Sequence, residues 1–267
     1  MADSLVHPSA VIHPSAEVDT DVSIGPFCTI GANVIVRSGT VLHPNVHILQ
    51  NTRIGHSCQI FSGAVIGGPP QDQKFKNETS YVEIGDGNIL REYVTIHRAT
   101  GEGEVTRMGA NNMVMAYAHI AHNCEIHNRV TIASYVGISG HVTVEDGVNF
   151  GGNSGVHQFC RIGTLAMVAG MAAITKDVPP YMMVTGIPAH VVNVNARGLR
   201  RAGVAPKVRG DVRAAYKLLY RSDLNQSHAL QAIEEEIEPS PEIQRLLDFV
   251  RNSRDGVNGR GNEGLHV

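Results

Sequence analysis

A histidine, a glycine and a glutamine are evenly spaced in the middle of the chain. His122, Gly140 and Gln158 are spaced 18 residues apart, and His119 and His141 stand within three residues of this series. A neutral imidazole is the usual general base near pH 7, and a glycine N–H can donate to a developing oxyanion. If the fold places residues 18 apart next to one another, the set predicts acyl transfer to a hydroxyl group.

The element that would bring these residues together follows from a period of six. Every residue from Val6 to Ile174 whose number is divisible by six is Val, Ile, Leu, Met or Phe, except Asp72, Glu78 and Glu102. Four residues after each of these opening residues, the chain prefers small or β-branched side chains. A repeat of this length, with two inward positions per hexad, indicates the short faces of a coiled β-sheet.

This pattern resembles the hexapeptide repeat of the left-handed parallel β-helix. The resemblance implies three hexads in each triangular coil, so that residues 18 apart stack about 4.8 Å from one another. Handedness follows from the resemblance and not from the period. We therefore predict a mainly β fold, a left-handed parallel β-helix followed by a C-terminal α-helical domain.

Two polar segments interrupt the repeat, at residues 67–83 and 101–107. Because the period of six resumes in register after each, we interpret them as insertions that loop out of the stack. Loops on a rigid scaffold often carry binding residues, and the first insertion contains Asp72 and Lys74.

Corner positions, which directly follow the opening residues, show two preferences. Histidines there are expected to reach solvent; they are His7, His13, His43, His97, His127 and His157. Glycines there are expected either to adopt a positive φ or to allow close packing; they are Gly25, Gly31, Gly55, Gly67, Gly85, Gly109, Gly151 and Gly163.

A helical period replaces the repeat in the last third of the chain, after the pair Pro179-Pro180. Apolar residues with helical spacing predict three helices between residues 212 and 250, the last one opened by Ser240 and Pro241. The predicted divisions are a β-helix at 1–190, a helical domain at 191–254 and a flexible tail at 255–267.

Composition narrows the function classes. A net charge of -3 gives no sign of nucleic-acid binding, and no apolar run is long enough to span a membrane. The N-terminus lacks the pattern of a signal peptide, which favours a cytoplasmic location. The four cysteines stand in the small inward column, where Cys acts as a small hydrophobe; they are Cys28, Cys58, Cys124 and Cys160.

Two other interpretations of the histidines remain open from the residues alone. His119, His122 and His141 could imitate the zinc site of carbonic anhydrases built on the same repeat, although the neighbouring Asn and Gln residues supply no obvious further ligands. Alternatively, stacked polar corners could serve a scaffold or binding module without chemistry.

Several motifs indicate one family more specifically than the repeat does. The segments AHIAHNC (118–124), GHVTV (140–144), VHQFC (156–160), DVPPY (177–181), VTIHR (94–98) and AYKLLYRS (215–222) resemble the acyl-carrier-protein–UDP-N-acetylglucosamine O-acyltransferases of lipid A biosynthesis. The resemblance covers nearly the whole chain, including both insertions and the helical end.

The resemblance implies a role for individual residues. It implies that His122 is the general base and that Gly140 supplies the oxyanion N–H. It places four residues at the acceptor and acyl-pantetheine cleft, namely His119, His141, His157 and Gln158. It further implies sugar contacts by Asp72 and Lys74, nucleotide or diphosphate contacts by Asn195 and Arg201, and an acyl-length ruler at Gly170 beside Met167.

The family resemblance also implies partners. It implies a homotrimer with the cleft between adjacent prisms, UDP-N-acetylglucosamine as acceptor, and acyl carrier protein as donor, docked on the basic start of the helical region. It implies no metal and no cofactor. Asn123 stands where Asp is frequent and Arg197 where an acidic residue is usual, so a paralogue that acylates a 3-amino sugar stays open.

Overall fold

The computed structural model describes residues 5–254, and short strands recur along the chain as far as Val194. The strands are β1 (Val11–Ile12), β2 (Glu17–Val18), β3 (Ser23–Ile24), β4 (Thr29–Ile30), β5 (Ile35–Val36), β6 (Val41–Leu42), β7 (His47–Ile48), β8 (Thr52–Ile54), β9 (Gln59–Ile60), β10 (Val65–Gly68), β11 (Tyr81–Ile84), β12 (Ile89–Leu90), β13 (Thr95–His97), β14 (Val105–Met108), β15 (Met113–Val114), β16 (His119–Ile120), β17 (Glu125–Ile126), β18 (Thr131–Ile132), β19 (Gly137–Ile138), β20 (Thr143–Val144), β21 (Asn149–Phe150), β22 (Gly155–Val156), β23 (Arg161–Ile162), β24 (Met167–Val168), β25 (Ala173–Ile174), β26 (Met182–Gly186) and β27 (Ala189–Val194). The helices are α1 (Ala196–Arg201), α2 (Pro206–Tyr220), α3 (Gln226–Glu236) and α4 (Pro241–Arg254).

The strands form three sheets. From β1 to β25, consecutive strands belong to different sheets, and each strand up to β22 pairs with the third strand after it. The first sheet runs from β1 to β25, the second from β2 to β23 and the third from β3 to β27. In the regular coils the paired residues are 18 apart, as Thr29 and His47 are. Each coil thus gives one strand to each sheet, which makes a parallel β-helix and confirms both the mainly β fold and the stacking of residues 18 apart.

Both insertions leave the β-helix at the same corner, between the first and second sheets. The first loop connects β10 to β11 and the second connects β13 to β14. Val65 pairs with Thr95, 30 residues away instead of 18, and Thr95 pairs with His119, 24 residues away. The insertions therefore add twelve and six residues, whole hexads, and the register of opening residues survives them.

The core of the β-helix consists of the opening residues and of the residues two places before them. The four cysteines are free and buried there, as small hydrophobes. Positive φ angles fall three residues after the opening residue, as at Tyr117 and Asn123. The predicted corner glycines instead allow close packing: a Cβ on Gly25 would lie 2.8 Å from the backbone nitrogen of Pro44. Of the eight corner glycines, Gly67 alone has a positive φ, +83°.

The C-terminal elements close the end of the β-helix. β26 pairs with β24 in parallel and with β27 in an antiparallel hairpin. The three predicted helices are α2, α3 and α4, whereas α1 precedes the region between residues 212 and 250 in which helices were predicted. Arg161 of the last coil binds Asp177 at 3.3 Å and Ser253 of α4 at 2.9 Å. The predicted tail at 255–267 lies outside the described residues, and the boundary at 190 stays a prediction.

None of the helices in residues 5–254 combines the length and the apolar character needed to cross a bilayer.

Candidate active site

The predicted stack of His122 and Gly140 is present at the corner between the first and second sheets, which we call the histidine edge. The backbone N–H of His141 donates to the carbonyl of His122 at 3.1 Å, so the two corners lie on successive coils. The His122 ring packs against Gly140 so closely that a Cβ there would lie 2.6 Å from its Cε1 and Nε2 atoms. Only glycine at position 140 leaves room for this imidazole.

The next coil extends the same edge. The backbone N–H of Phe159 donates to the carbonyl of Gly140 at 3.1 Å, which places Gln158 and His157 one coil beyond Gly140. The His141 ring stacks on Phe159 with 4.7 Å between centroids and meets His122 edge to face at 5.2 Å. The structure therefore brings together His122, Gly140, His141, His157 and Gln158, as the spacing of 18 predicted.

His119 reaches this group from the first sheet. It lies on β16, and its Nδ1 is 2.7 Å from the hydroxyl of Thr95 on the preceding coil. Burial, and then the nearby His122, lower the pKa of His119. His119 is accordingly neutral at pH 7 and adds no positive charge beside His122.

His97 is a member of the site that the sequence did not single out. It was expected at a solvent-facing corner, but it is 8% exposed and its ring meets His119 edge to face at 4.9 Å. Burial, with His119 and His122 close by, lowers its pKa to about 4. The insertions cause this burial, because β13 leads directly into the second insertion and Gly68 of the first lies against the ring.

The first insertion brings Asp72 opposite His122. The carboxylate oxygen Oδ2 of Asp72 lies 4.0 Å from Nε2 of His122. Partial burial raises the pKa of Asp72, but the backbone N–H of Lys74 and the nearby His122 outweigh it, so the net pKa is lowered. Asp72 is thus an anion at neutral pH, held where it can accept a hydrogen bond from a bound hydroxyl.

The two insertions hold each other in place over the site. The N–H of Gly101 donates to Glu78 at 2.8 Å, and the N–H of Thr79 donates to Glu102 at 3.0 Å. These charge-assisted bonds join the loop that carries Asp72 to the loop above Asn123.

Asn123 follows His122 and contacts the second insertion. Its Oδ1 lies 2.9 Å from Nδ1 of His122 and accepts the N–H of Thr100 at 2.9 Å. Its Nδ2 donates to the carbonyl of Thr100 at 3.0 Å, and its own N–H donates to the hydroxyl of Thr106 at 2.8 Å.

A cavity of about 590 Å³ runs from His122 along the outer face of the first sheet. Beyond His119 its floor is almost free of side chains, because the next residues in that column are Gly137, Gly155 and Ala173. A Cβ added at Gly137 or Gly155 would meet nothing within 4 Å. The cavity offers an alkyl chain a path that starts at the imidazole.

Seven predicted site residues do not line this cavity within one chain. Three of them, Asp72, Lys74 and His141, belong to the first insertion or to the corner next to His122. The other four lie elsewhere. Asn195 is buried and caps α1, accepting the N–H of Gly198 and donating to the carbonyl of Leu165. Arg201 is exposed at the end of the same helix, Met167 lies on the third sheet, and Gly170 is an exposed corner. Their assigned roles stay predictions.

The zinc interpretation gains no support from the geometry. Among residues 5–254, no group of three or more His, Cys, Asp or Glu side chains is arranged to hold a metal ion. His119 uses Nδ1 on a threonine, and the His141 ring is stacked on Phe159.

Comparisons with known proteins decide the family. Residues 177–258 match a family model described as UDP N-acetylglucosamine O-acyltransferase, domain 2, and residues 106–140 match the bacterial transferase hexapeptide, six repeats. The curated acyl-[acyl-carrier-protein]–UDP-N-acetylglucosamine O-acyltransferase of Janthinobacterium sp. is 41% identical over 259 residues, 95% of this chain and 99% of the relative. The chain belongs to this O-acyltransferase family. The enzyme of the same name from Gloeothece citriformis is 49% identical over 203 residues, 76% of this chain and 73% of the relative.

Solved structures of the O-acyltransferase family have the same overall fold. LpxA from Acinetobacter baumannii is 42% identical, with a TM-score of 0.89 over 93% of this chain and 97% of the other. The UDP-N-acetylglucosamine acyltransferase of Bacteroides fragilis is 40% identical, with a TM-score of 0.91 over 95% and 98% of the two chains. The similarity therefore includes the helical end as well as the β-helix.

Proposed function

We propose that this chain transfers an acyl group, of the 3-hydroxyacyl class, from acyl carrier protein to the 3-hydroxyl of UDP-N-acetylglucosamine, the first step of lipid A biosynthesis. The observation that carries the proposal is the His122 imidazole packed on the backbone of Gly140, at the mouth of a cavity suited to an alkyl chain. The relatives' names supply the substrates, and the site supplies chemistry that fits them.

His122 acts as the general base in this reaction. Its Nε2 takes the proton of the 3-hydroxyl while the sugar oxygen attacks the thioester carbonyl. The new C–O bond forms, the carbonyl oxygen becomes an oxyanion, and collapse of this intermediate breaks the C–S bond. His122 then returns its proton to the departing pantetheine sulfur.

The backbone N–H of Gly140 stabilises the oxyanion. It donates no hydrogen bond within residues 5–254 and lies beside the imidazole, so it is available to the reacting carbonyl. Asp72 lies 4.0 Å from Nε2 and orients the sugar, with Lys74 on the same loop. His119, His141, His157 and Gln158 complete the walls around sugar and pantetheine.

The acyl chain follows the bare floor of the first sheet towards Gly170 and Met167, whose sizes set its length. Replacement of Gly170 by Met is expected to shorten the preferred chain, as read from the product masses obtained with a panel of donors. An unchanged length profile would place the ruler elsewhere.

The active unit is a homotrimer in this proposal. One copy leaves the floor at Gly137 and Gly155 uncovered, and a neighbouring copy would provide the missing wall. Three exposed tyrosines stack along the corner between the third and first sheets, with 5.0 Å between successive ring centroids; they are Tyr93, Tyr117 and Tyr135, and we call this corner the aromatic edge. An exposed aromatic row is typical of contact surfaces. A monomeric mass in sedimentation equilibrium, with full activity, would disprove the assembly.

The acidic carrier protein docks on the arginines of α1 and α2. Arg197, Arg200, Arg209 and Arg213 surround a cavity of about 570 Å³, and none of them has a carboxylate partner within residues 5–254. Arg209→Glu with Arg213→Glu should raise KM for acyl carrier protein but not for a small acyl-pantetheine. Equal effects on both donors would count against docking here. The free thiols of all four cysteines fit the reducing cytoplasm as the location.

The first experiment measures the product. Purified protein is incubated with UDP-N-acetylglucosamine and a panel of 3-hydroxyacyl carrier proteins, and an ester of the sugar nucleotide is expected by mass. His122→Ala should lower kcat on the order of 10²-fold or more, whereas His127→Ala, a substitution on the surface of the second sheet, should not. Turnover restricted to a 3-amino sugar would replace this function by amide formation.

A further inference from the structure

The hydrogen bonds around Asn123 determine which way its amide faces. The N–H of Thr100 can only donate and the carbonyl of Thr100 can only accept. The first lies 2.9 Å from Oδ1 of Asn123 and the second 3.0 Å from Nδ2. In the reverse orientation the amide nitrogen would face the N–H of Thr100, donor against donor, and the amide oxygen would face the carbonyl of Thr100, acceptor against acceptor. The amide oxygen is therefore the atom that faces His122.

This orientation fixes the proton on the imidazole. Because Oδ1 of Asn123 is an acceptor, Nδ1 of His122, 2.9 Å away, must carry the hydrogen. In the neutral ring Nε2 then holds the lone pair. Nε2 is the atom beside Gly140 and 4.0 Å from Asp72, and it is the atom that receives the hydroxyl proton in the proposed reaction.

Asn123 is itself held rigidly. Its φ of +56° lies in the left-handed region, which Asn tolerates better than most residues. Its backbone N–H bonds to Thr106, near the end of the second insertion, and both amide atoms bond to Thr100, directly before it. The amide oxygen is therefore a fixed point against which the imidazole is aligned.

We propose that Asn123 is a positioning residue that holds His122 in the Nδ1–H tautomer, with Nε2 free to accept a proton, and that it does so without adding a charge. The proposal rests on the role of His122 as general base. Many catalytic histidines are oriented by a carboxylate, and here a neutral amide has that role.

The surroundings explain why an amide suits this chain. A carboxylate at position 123 would turn one oxygen towards the carbonyl of Thr100, with no hydrogen between them. It would also place His122 between two anions, since Asp72 already faces Nε2, and so hold the ring protonated to higher pH.

Other ionisable groups also stand near this pair. Around His122 they are Asp72 and Lys74 from the first insertion, His97 from β13, His119 from β16 and His141 from the next coil; around Asn123 they are Glu104, Arg107 and Glu125.

Three variants test the proposal. Asn123→Gly removes the amide without straining the positive φ, and it should lower kcat about tenfold or more at every pH. Asn123→Asp keeps an acceptor, so its kcat at high pH should return close to the wild-type value, while the acid limb of the kcat profile moves up by about 1 pH unit. Asn33→Gly, at the same hexad position of an early coil and with a φ of +57°, should leave kcat unchanged and serves as the matched control.

Nitrogen-15 NMR of histidine-labelled protein reads the tautomer directly. The wild type should show His122 protonated at Nδ1, Asn123→Asp should keep that form, and Asn123→Gly should lose it. An unchanged tautomer in Asn123→Gly would overturn the proposal, as would acid limbs of kcat that are the same in the Asp variant and the wild type. Because the NMR signal does not depend on turnover, it separates this proposal from a failure of His122 as the base.

Discussion

The histidine edge and the aromatic edge flank the same sheet and have the same backbone conformation, yet the first is largely buried and the second is exposed. Asn123 and His141 at the first edge have φ angles of +56° and +59°, and Tyr117 and Tyr135 at the second have +62° and +61°. The two tyrosines are 50% and 58% exposed, whereas the His122 side chain is 13% exposed. The repeat supplies equivalent positions at both edges, and the two insertions bury only one of them.

The difference shows where the chemistry of this fold comes from. At the aromatic edge, successive coils place like residue on like residue, and the rings simply stack on one another. At the histidine edge, the insertions add Asp72 opposite Nε2 and Thr100 behind Asn123. Burial there strengthens electrostatic interactions, so a regular coil becomes a site through its irregular segments.

One added methyl group should have very different effects at the two edges. Gly140→Ala would place a Cβ 2.6 Å from the His122 ring, and we expect kcat to fall on the order of 10²-fold because the base and the oxyanion donor are both displaced. Gly152→Ala, at the same hexad position of the aromatic edge, places its Cβ 3.2 Å from the carbonyl of Ser134 and should leave kcat near the wild-type value.

A double mutant tests the mechanism of that loss. If Gly140→Ala acts by displacing the imidazole, it should cost far less in a His122→Ala background than in the wild type. Similar losses of kcat at the two edges, or full additivity with His122→Ala, would contradict the assignment.

The second prediction is that burial of His97 at the histidine edge makes the stability of the protein depend on pH. Burial lowers the pKa of His97 from 6.5 to about 4, so unfolding takes up a proton between these values. The free energy of unfolding should therefore fall by up to about 2 kcal/mol between pH 7 and pH 5 through His97 alone. His97→Asn should remove this part of the slope, measured by urea unfolding at the two pH values. His13→Asn, at an exposed corner of the first coils, is the control, and equal slopes in both variants would refute the assignment.

The repeat allowed much of the histidine edge to be predicted from the sequence. The spacing of 18 predicted the contact of His122 with Gly140, and the return of the opening residues located both insertions. The solvent-facing position predicted for His97 was wrong, because its burial comes from the insertions and not from its place in the hexad. The bonds of Asn123 to Thr100 could not be predicted either, since they depend on the path of a loop that has no period. Helix α1 was missed because six residues are too few to show helical spacing.

The smallest predicted effect comes from the bonds between the two insertions. Glu78→Gln keeps the shape of the side chain but removes the charge that accepts the N–H of Gly101. That N–H, more than any other group, lowers the pKa of Glu78, so the carboxylate form is the one that the loop binds. Since the loop also carries Asp72, we expect KM for UDP-N-acetylglucosamine to rise a few fold, while kcat and KM for the acyl donor change little. Glu17→Gln, on a part of the second sheet far from both insertions, provides the baseline. If kcat fell and KM stayed constant, the insertions would act on the imidazole itself and not only on the sugar, and the contrast between the two edges would then extend from binding to the chemical step.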